Sequence, residues 1–178
     1  MFNKILVPLD GSSLSEQALP IAVKLARVSG GELLLLRMPV FETSPVPAFG
    51  GYGAIWPEQS IEHSRAEARD YLKIQQKQID APDIKMRMLI VEGDVAGAIL
   101  DIAKDEQVDL IVMSTHGYSG VTRWVMGSVT ERVLSNAPCP VYVVRTPDLP
   151  HRILITLDGS EVAEHALHPG LEVGAMVN

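Results

Sequence analysis

Residues 113–130 read Met-Ser-Thr-His-Gly-Tyr-Ser-Gly-Val-Thr-Arg-Trp-Val-Met-Gly-Ser-Val-Thr, and this stretch decides the fold. An apolar run, Val108 to Val112, leads into it and has the composition of a strand buried on both faces. Ser128 to Asn136 leads out of it and reads as a helix. Between them Ser114, His116, Gly117 and Gly120 make a small-residue turn, and Gly127 with Ser128 opens the helix. Glycine lets a ligand approach the backbone where a Cβ would block it. The first amides of a helix lack internal acceptors and lie at the positive end of its dipole. An anion fits there, phosphate above all, so the stretch reads as a phosphate cradle. A plainer account uses the same residues: Ser128 and Glu131 have the spacing of a capping box, and a capped helix needs no ligand.

Outward from the cradle, the chain alternates strand and helix. Lys4 to Leu9 is a short apolar strand, broken by Asp10-Gly11-Ser12-Ser13. Ser13 and Glu16 suggest a capping box, and Leu14, Ala18, Ile21, Ala22 and Leu25 form a helical stripe. Gly30-Gly31 ends that helix, and Leu33 to Met38 is a second buried strand. Residues 39–57, with Phe41, Phe49, Tyr52 and Trp56, read as an irregular segment whose aromatics could cover a planar ligand or an oligomer contact, or form a plain insertion. A polar-faced helix is expected over 57–79, a strand over 84–91 with edge character, a helix over 95–104, and strands over 108–113 and 140–144, followed by a linker over 145–150. This order predicts an α/β fold: a three-layer, doubly wound, five-stranded parallel sheet of Rossmann-like form, strand order 3-2-1-4-5. Its topological switch lies between the first and fourth strands, so ligands are expected beyond the strand C-termini where Asp10 and the cradle meet.

Composition narrows the function. The chain has 178 residues, 47% of them apolar and 21% charged, which suits one domain with a sizeable core. A net charge of −7 argues against nucleic acid as the main partner. It also means that bound phosphates need backbone amides and a divalent cation. The one cysteine, Cys139, leaves no intramolecular disulfide and reads as a small buried hydrophobe. No leader pattern opens the chain and no apolar run approaches the length of a membrane span, so a cytoplasmic protein without a membrane partner is expected. His165 and His168 are three apart but have no evident third ligand, so solvated histidines are expected. No P-loop lysine, nucleophile elbow or placed general base is evident.

The chain resembles the universal stress protein family over residues 1 to about 147. Lys4-Ile-Leu-Val-Pro-Leu-Asp-Gly-Ser12 is similar to the family's opening, and Asn136-Ala-Pro-Cys-Pro-Val-Tyr-Val-Val144 to its closing strand. The family's ATP motif, Gly-x2-Gly-x9-Gly-Ser/Thr, is matched by Ser114-Thr-His-Gly117, nine residues, and Gly127-Ser128, with Ser114 in place of the first glycine. The resemblance implies an adenine nucleotide alpha hydrolase-like sheet, ATP with Mg²⁺ or Mn²⁺ as ligands, and homodimers or higher homo-oligomers. Carried over by position, Asp10 stands at the ribose or a metal, and Pro8 and Leu9 beside the base. Met38 closes the adenine pocket, Gly117 and Gly127 admit the phosphates, and Ser128 and Val129 contact them; Ser114 and His116 belong to the same turn. Three functions remain open: a nucleotide-dependent regulatory or stress-response module, a slow Mg-dependent ATPase using Asp10, and a nucleotide-free dimer with a vestigial motif. Each alternative reading of a residue also stays open: Asp10 as a turn residue, Met38 as plain core, His116 as a solvated loop histidine.

The C-terminal residues repeat the N-terminal ones. Residues 152–167 lie over residues 4–19 at a shift of 148, with nine of sixteen positions identical, Asp158-Gly159-Ser160 among them. Residues 148–178 therefore read as a partial second repeat, one strand and one helix, whose Arg152 to Leu157 is expected to pair with a sheet edge across a dimer. A tail resting on a neighbouring molecule is the plain alternative.

Overall fold

A computed structural model describes residues 2–40, 44–48, 51–55, 58–115, 126–146, 148, 150 and 152–177. The central sheet contains β1 (Lys4–Leu9), β2 (Glu32–Arg37), β5 (Met86–Ile90), β6 (Leu110–Ser114) and β7 (Val141–Val144), in the order β5-β2-β1-β6-β7 with every pair parallel. Counting these five strands alone, that is the expected order 3-2-1-4-5. Helices α1 (Ser13–Glu16), α2 (Ala18–Ser29), α3 (Glu58–Ile79), α4 (Val95–Asp105) and α5 (Ser128–Asn136) cover the two faces.

The alternation of side chains along the strands builds two cores. Ile5, Val7 and Leu9 of β1 with Leu33 and Leu35 of β2 join Ile21 and Leu25 of α2 on one face. Leu6, Leu34 and Leu36 turn to the other face and meet Ile99 of α4 and Val133 of α5. Successive side chains on a strand point to opposite faces, so unbroken apolar runs are what a doubly covered sheet requires. β5 is an edge strand, and all five of its residues are only partly buried or exposed, as its alternation suggested.

The first helix departs from expectation. Its N-cap is Ser12, one residue before the expected Ser13: Ser12 Oγ accepts from Ser15 N at 3.1 Å, and Asp10 Oδ1 accepts from Ser12 N at 2.9 Å. Gly11 at φ +84° makes that turn possible. The helix also breaks at Gln17 into α1 and α2. Pro20 has no N–H to give the carbonyl of Glu16, and its ring crowds that carbonyl. Residues 39–57 are not wholly irregular: β3 (Ser44–Ala48) and β4 (Gly51–Ile55) pair as an antiparallel hairpin. Pro45 and Pro47 are two apart, so both fall at positions of one parity where a two-stranded ladder asks for no N–H. That is how a proline-rich stretch forms a strand. Phe41, Phe49 and Trp56 lie outside the described residues.

The repeat reappears in three dimensions. Gly159 has φ +84° like Gly11, Ser160 caps α6 (Glu161–Glu164) through Ala163 N at 3.1 Å, and Asp158 Oδ1 accepts from Ser160 N at 2.9 Å. A break at His165 precedes α7 (Leu167–Val177), with Pro169 in its first turn as Pro20 is in that of α2. Residues 152–157, however, form no ladder with any described residue. Val173 and Met176 of α7 pack into the core on the α2 side.

Candidate functional site

The ladder between β1 and β6 holds only Ile5↔Leu110 and Leu6↔Ile111, whereas β1 and β2 stay paired over six positions. The two central strands therefore part toward their C-terminal ends. Connections leave β1 and β6 for opposite faces there, which opens a crevice at the switch point. A cleft of about 700 Å³ occupies it. That volume lies within the usual range for a small-molecule site.

The cleft has two unlike sides. Leu36, Met38, Val95, Ile99, Met113 and Val129 supply an apolar wall, continuous with the core under α4 and α5. Asp10, Ser15 and Arg37 supply polar groups on the α1 side. Asp10 is the one acid among the described lining residues. Its Oδ1 also accepts from Ser12 Oγ at 2.6 Å, so the carboxylate is held by the turn that follows β1.

The helix that follows the cradle starts where the sequence placed it, at Ser128, but its cap is Gly127 rather than Ser128. Gly127 has extended backbone, φ −64° and ψ 147°, and among the described residues no side chain caps the helix. The capping box of Ser128 and Glu131 therefore does not form. Glu131 N bonds to Gly127 O at 3.0 Å, which leaves the amides of Ser128, Val129 and Thr130 as the three orphans of the first turn. Thr130 fixes this turn against β6. It is 3% exposed, and its Oγ1 donates to Ser114 O at 3.1 Å and lies 3.4 Å from Thr115 O. Gly127 N donates to Thr115 O at 3.0 Å from the other side of the same loop. Ser114, which stands where the resemblance expects glycine, is not among the described residues with positive φ. Its backbone thus needs no glycine for conformational reasons.

Of the residues singled out from the sequence, Pro8, Leu9, Asp10, Met38, Ser114 and Val129 all line the one cleft. Gly127 and Ser128 form the helix start next to Val129. His116 and Gly117 lie outside the described residues. No group of three His, Cys, Asp or Glu side chains among the described residues could hold a metal ion. His168 is exposed and lies 3.8 Å from the mostly buried Glu172 one turn along α7. Three polar cleft residues were not anticipated: Ser15, Thr130 and Arg37. Only Arg37 left a mark in the sequence, as a charge ending an otherwise apolar strand, Glu-Leu-Leu-Leu-Leu-Arg.

The half-buried Cys139 lies against the N-terminal end of β7, away from the cleft. Burial, aided by the nearby Asp109 carboxylate, pushes its thiol up to about 11. Desolvation disfavours a thiolate, so Cys139 behaves as the small hydrophobe its surroundings suggested.

Sheet order, splayed central strands and a helix start with no side-chain cap among the described residues define an α/β protein with a cleft at its switch point. The model of the universal stress protein family matches residues 1–145, and the chain belongs to that family. A universal stress protein of Methanocaldococcus jannaschii is 35% identical over 150 residues, 83% of this chain and 84% of that protein. One of Bacillus subtilis is also 35% identical, over 82% of this chain and all of that protein. Among solved structures, a universal stress protein of Lactobacillus plantarum superposes with a TM-score of 0.67 at 28% identity, covering 80% of this chain and 97% of that one. Two with the same fold at lower identity carry nucleotides. One is a universal stress protein in complex with cAMP, with a TM-score of 0.60 at 20% identity over 83% of this chain and 98% of that one. The other is an Arabidopsis thaliana family protein with AMP bound, with a TM-score of 0.56 at 16% identity over 84% of this chain and 96% of that one.

Proposed function

We propose that the cleft binds an adenine nucleotide, ATP with Mg²⁺ or Mn²⁺, and that the chain acts as a nucleotide-dependent regulatory or stress-response module. The observation that carries this reading is the N-terminus of α5. Its first-turn amides have no side-chain cap among the described residues, and they open beside an apolar cleft large enough for a nucleoside. The purine would lie against the apolar wall near Leu36 and Met38, and the ribose near Asp10. The 5′-phosphates would lie at Gly127, Ser128 and Val129, with Ser114 beside them. The adenine nucleotides held by the two family structures are of the same ligand class.

The donor set suits a cation carried by the nucleotide. Asp10 offers one carboxylate and no second acid joins it among the described lining residues, so the phosphates and water would supply the remaining ligands. Such an ion, when bound, would neutralise phosphate charge. Asp10 would orient it, while the α5 amides hold the phosphate oxygens. The direct test is mass spectrometry of small molecules released from denatured, freshly purified protein. An adenine nucleotide near one per chain is the expected result. Ligand-free protein that also fails to take up added ATP would refute the reading.

The same proposal includes self-association. Leu154 is 87% exposed and Leu157 49%, whereas Leu6 and Leu9, their counterparts in the repeat, are 0% and 4% exposed. A second copy of the chain would give this apolar segment a sheet edge to pair with, as the partial-repeat reading of residues 148–178 requires.

A further inference from the structure

Arg37 is the one cation among the described residues that line the cleft. It ends β2, opposite Leu9 in the β1–β2 ladder and therefore next to Asp10. Its guanidinium is held from three sides. Nη1 donates to Leu9 O over a long 3.4 Å, Cζ lies 5.3 Å from the centre of the Tyr71 ring, and Nη2 lies 3.2 Å from where a Cβ on Gly11 would be. Tyr71 in turn donates to Glu16 Oε1 at 3.0 Å, and Gln75 Nε2 donates to the same oxygen at 2.9 Å, so Glu16 is engaged away from Arg37.

No ion pair joins the guanidinium to a carboxylate among the described residues. Arg27, Arg65, Arg87 and Arg132 each hold a carboxylate: Asp83, Glu92, Glu106 and Asp94. Arg37 forms no ion pair with any described residue, and its buried Nε has no acceptor. Arg69 and Arg152 also form no ion pair with a described residue, but both are exposed, whereas Arg37 is half-buried in the cleft wall. Arginine supplies the planar fork that suits a phosphate.

The guanidinium lies over the end of β1, at Leu9 O and beside Gly11, on the Asp10 side of the cleft, whereas the phosphate of the proposed nucleotide lies at the start of α5 beyond β6. A ligand whose 5′-phosphate sits at α5 and whose ribose sits at Asp10 brings its 2′ and 3′ edge toward β2. In a related dinucleotide fold an acid takes the ribose 2′ hydroxyl or, in its place, a nearby arginine takes a 2′ phosphate.

We propose that Arg37 is a specificity-determining residue, and that the cleft prefers adenine nucleotides carrying a second phosphate on the ribose 2′ or 3′ oxygen. The inference rests on the adenine-nucleotide reading of the cleft. Gly11 belongs to the device: at φ +84° it admits no ordinary side chain, and a Cβ there would press on Nη2.

Calorimetry on the full chain with AMP, adenosine 2′,5′-bisphosphate and adenosine 3′,5′-bisphosphate tests this. The expected result is at least one bisphosphate binding roughly tenfold more tightly than AMP, the size of one charge-assisted contact. Arg37→Gln should bring the two affinities to within about twofold, and Arg37→Lys, which keeps charge but loses the fork, should fall between. Equal affinity of the wild-type chain for AMP and both bisphosphates overturns the inference while leaving the nucleotide reading intact. Failure to bind any of the three overturns both. The wild-type comparison decides even if a variant does not fold.

Discussion

Thr130→Val removes one hydroxyl and keeps the branched shape of the side chain. Thr130 is 3% exposed, and the hydroxyl donates to Ser114 O at 3.1 Å with Thr115 O at 3.4 Å. A buried hydrogen bond contributes about 1 kcal/mol net, and a carbonyl left without its donor adds a penalty of about 1–3 kcal/mol. Part of that penalty is relieved here, because Gly127 N still donates to Thr115 O at 3.0 Å. The expected loss is therefore about 1–2 kcal/mol. For a chain of this length each kcal/mol shifts Tm by about 2–4 °C, so thermal unfolding should move down by about 2–8 °C. Thr130→Ser keeps the hydroxyl and loses a methyl, which costs about 1 kcal/mol by burial alone. Stability by itself does not separate the two variants, but ligand binding does. If Thr130 aligns the first turn of α5 on β6, the valine variant loses ATP affinity severalfold and the serine variant does not. Thermal denaturation with calorimetry reads both quantities. A valine variant with wild-type Tm would show that the hydroxyl bonds contribute nothing. Equal ATP affinity in the three proteins would show that Thr130 does not set the cradle.

Asp94 caps α4 through Gly97 N at 2.8 Å and pairs in fork geometry with Arg132 of α5, and the Arg132 hydrogen bond holds its carboxyl below the usual range. A depressed folded pKa gives stability that is present above the unfolded value, about 3.9, and lost as pH falls through the folded value. Acid unfolding followed by circular dichroism should therefore show a smaller loss below about pH 4 in Arg132→Ala than in wild type; identical acid limbs would contradict this. The raised thiol of Cys139 should make it react slowly with a disulfide reagent at pH 8 in the native state and quickly in denaturant, and fast native labelling would count against the described packing. Leu154→Asp changes a side chain that is 87% exposed, so Tm at high dilution should stay within about 2 °C of wild type. The same substitution should lower the mass seen by light scattering at higher concentration, and unchanged mass at every concentration would remove the tail from any role in assembly.

Much of this fold was legible because its signals are local and strong. β1 and α5 fall on the expected residues, Lys4–Leu9 and Ser128–Asn136, since apolar runs and their small-residue breaks mark them sharply. The sheet order followed from the alternation of strand and helix. Caps were harder: Ser12 and Gly127 each act one residue before the serine expected to do so. Cap position depends on the conformation of the turn before it, which Gly11 sets at φ +84° and which spacing does not reveal. The β3–β4 hairpin was hidden by proline content, because spacing of two, rather than proline count, decides whether a ladder survives. Pro8, Leu9, Asp10, Met38, Ser114 and Val129 were named from the sequence and line one cleft, whereas Ser15, Thr130 and Arg37 come from separate segments that only the tertiary fold brings together. The tail's turn copies Asp10-Gly11-Ser12 in geometry as well as in sequence, but residues 152–157 remain outside the sheet because each strand position beside β2 and β6 is already filled by β1.

The most direct test of the cleft is titration of ATP with Mg²⁺ into wild-type and Gly127→Val protein by calorimetry. Gly127 has φ −64° and ψ 147°, a conformation valine adopts readily, so the variant should keep its fold by circular dichroism. Its side chain would project where the phosphate meets the first amides of α5. The expected result is saturable binding near one ATP per chain in the wild type and none in the folded variant. Unchanged affinity in a folded Gly127→Val protein would contradict the assignment of this cleft as a nucleotide site.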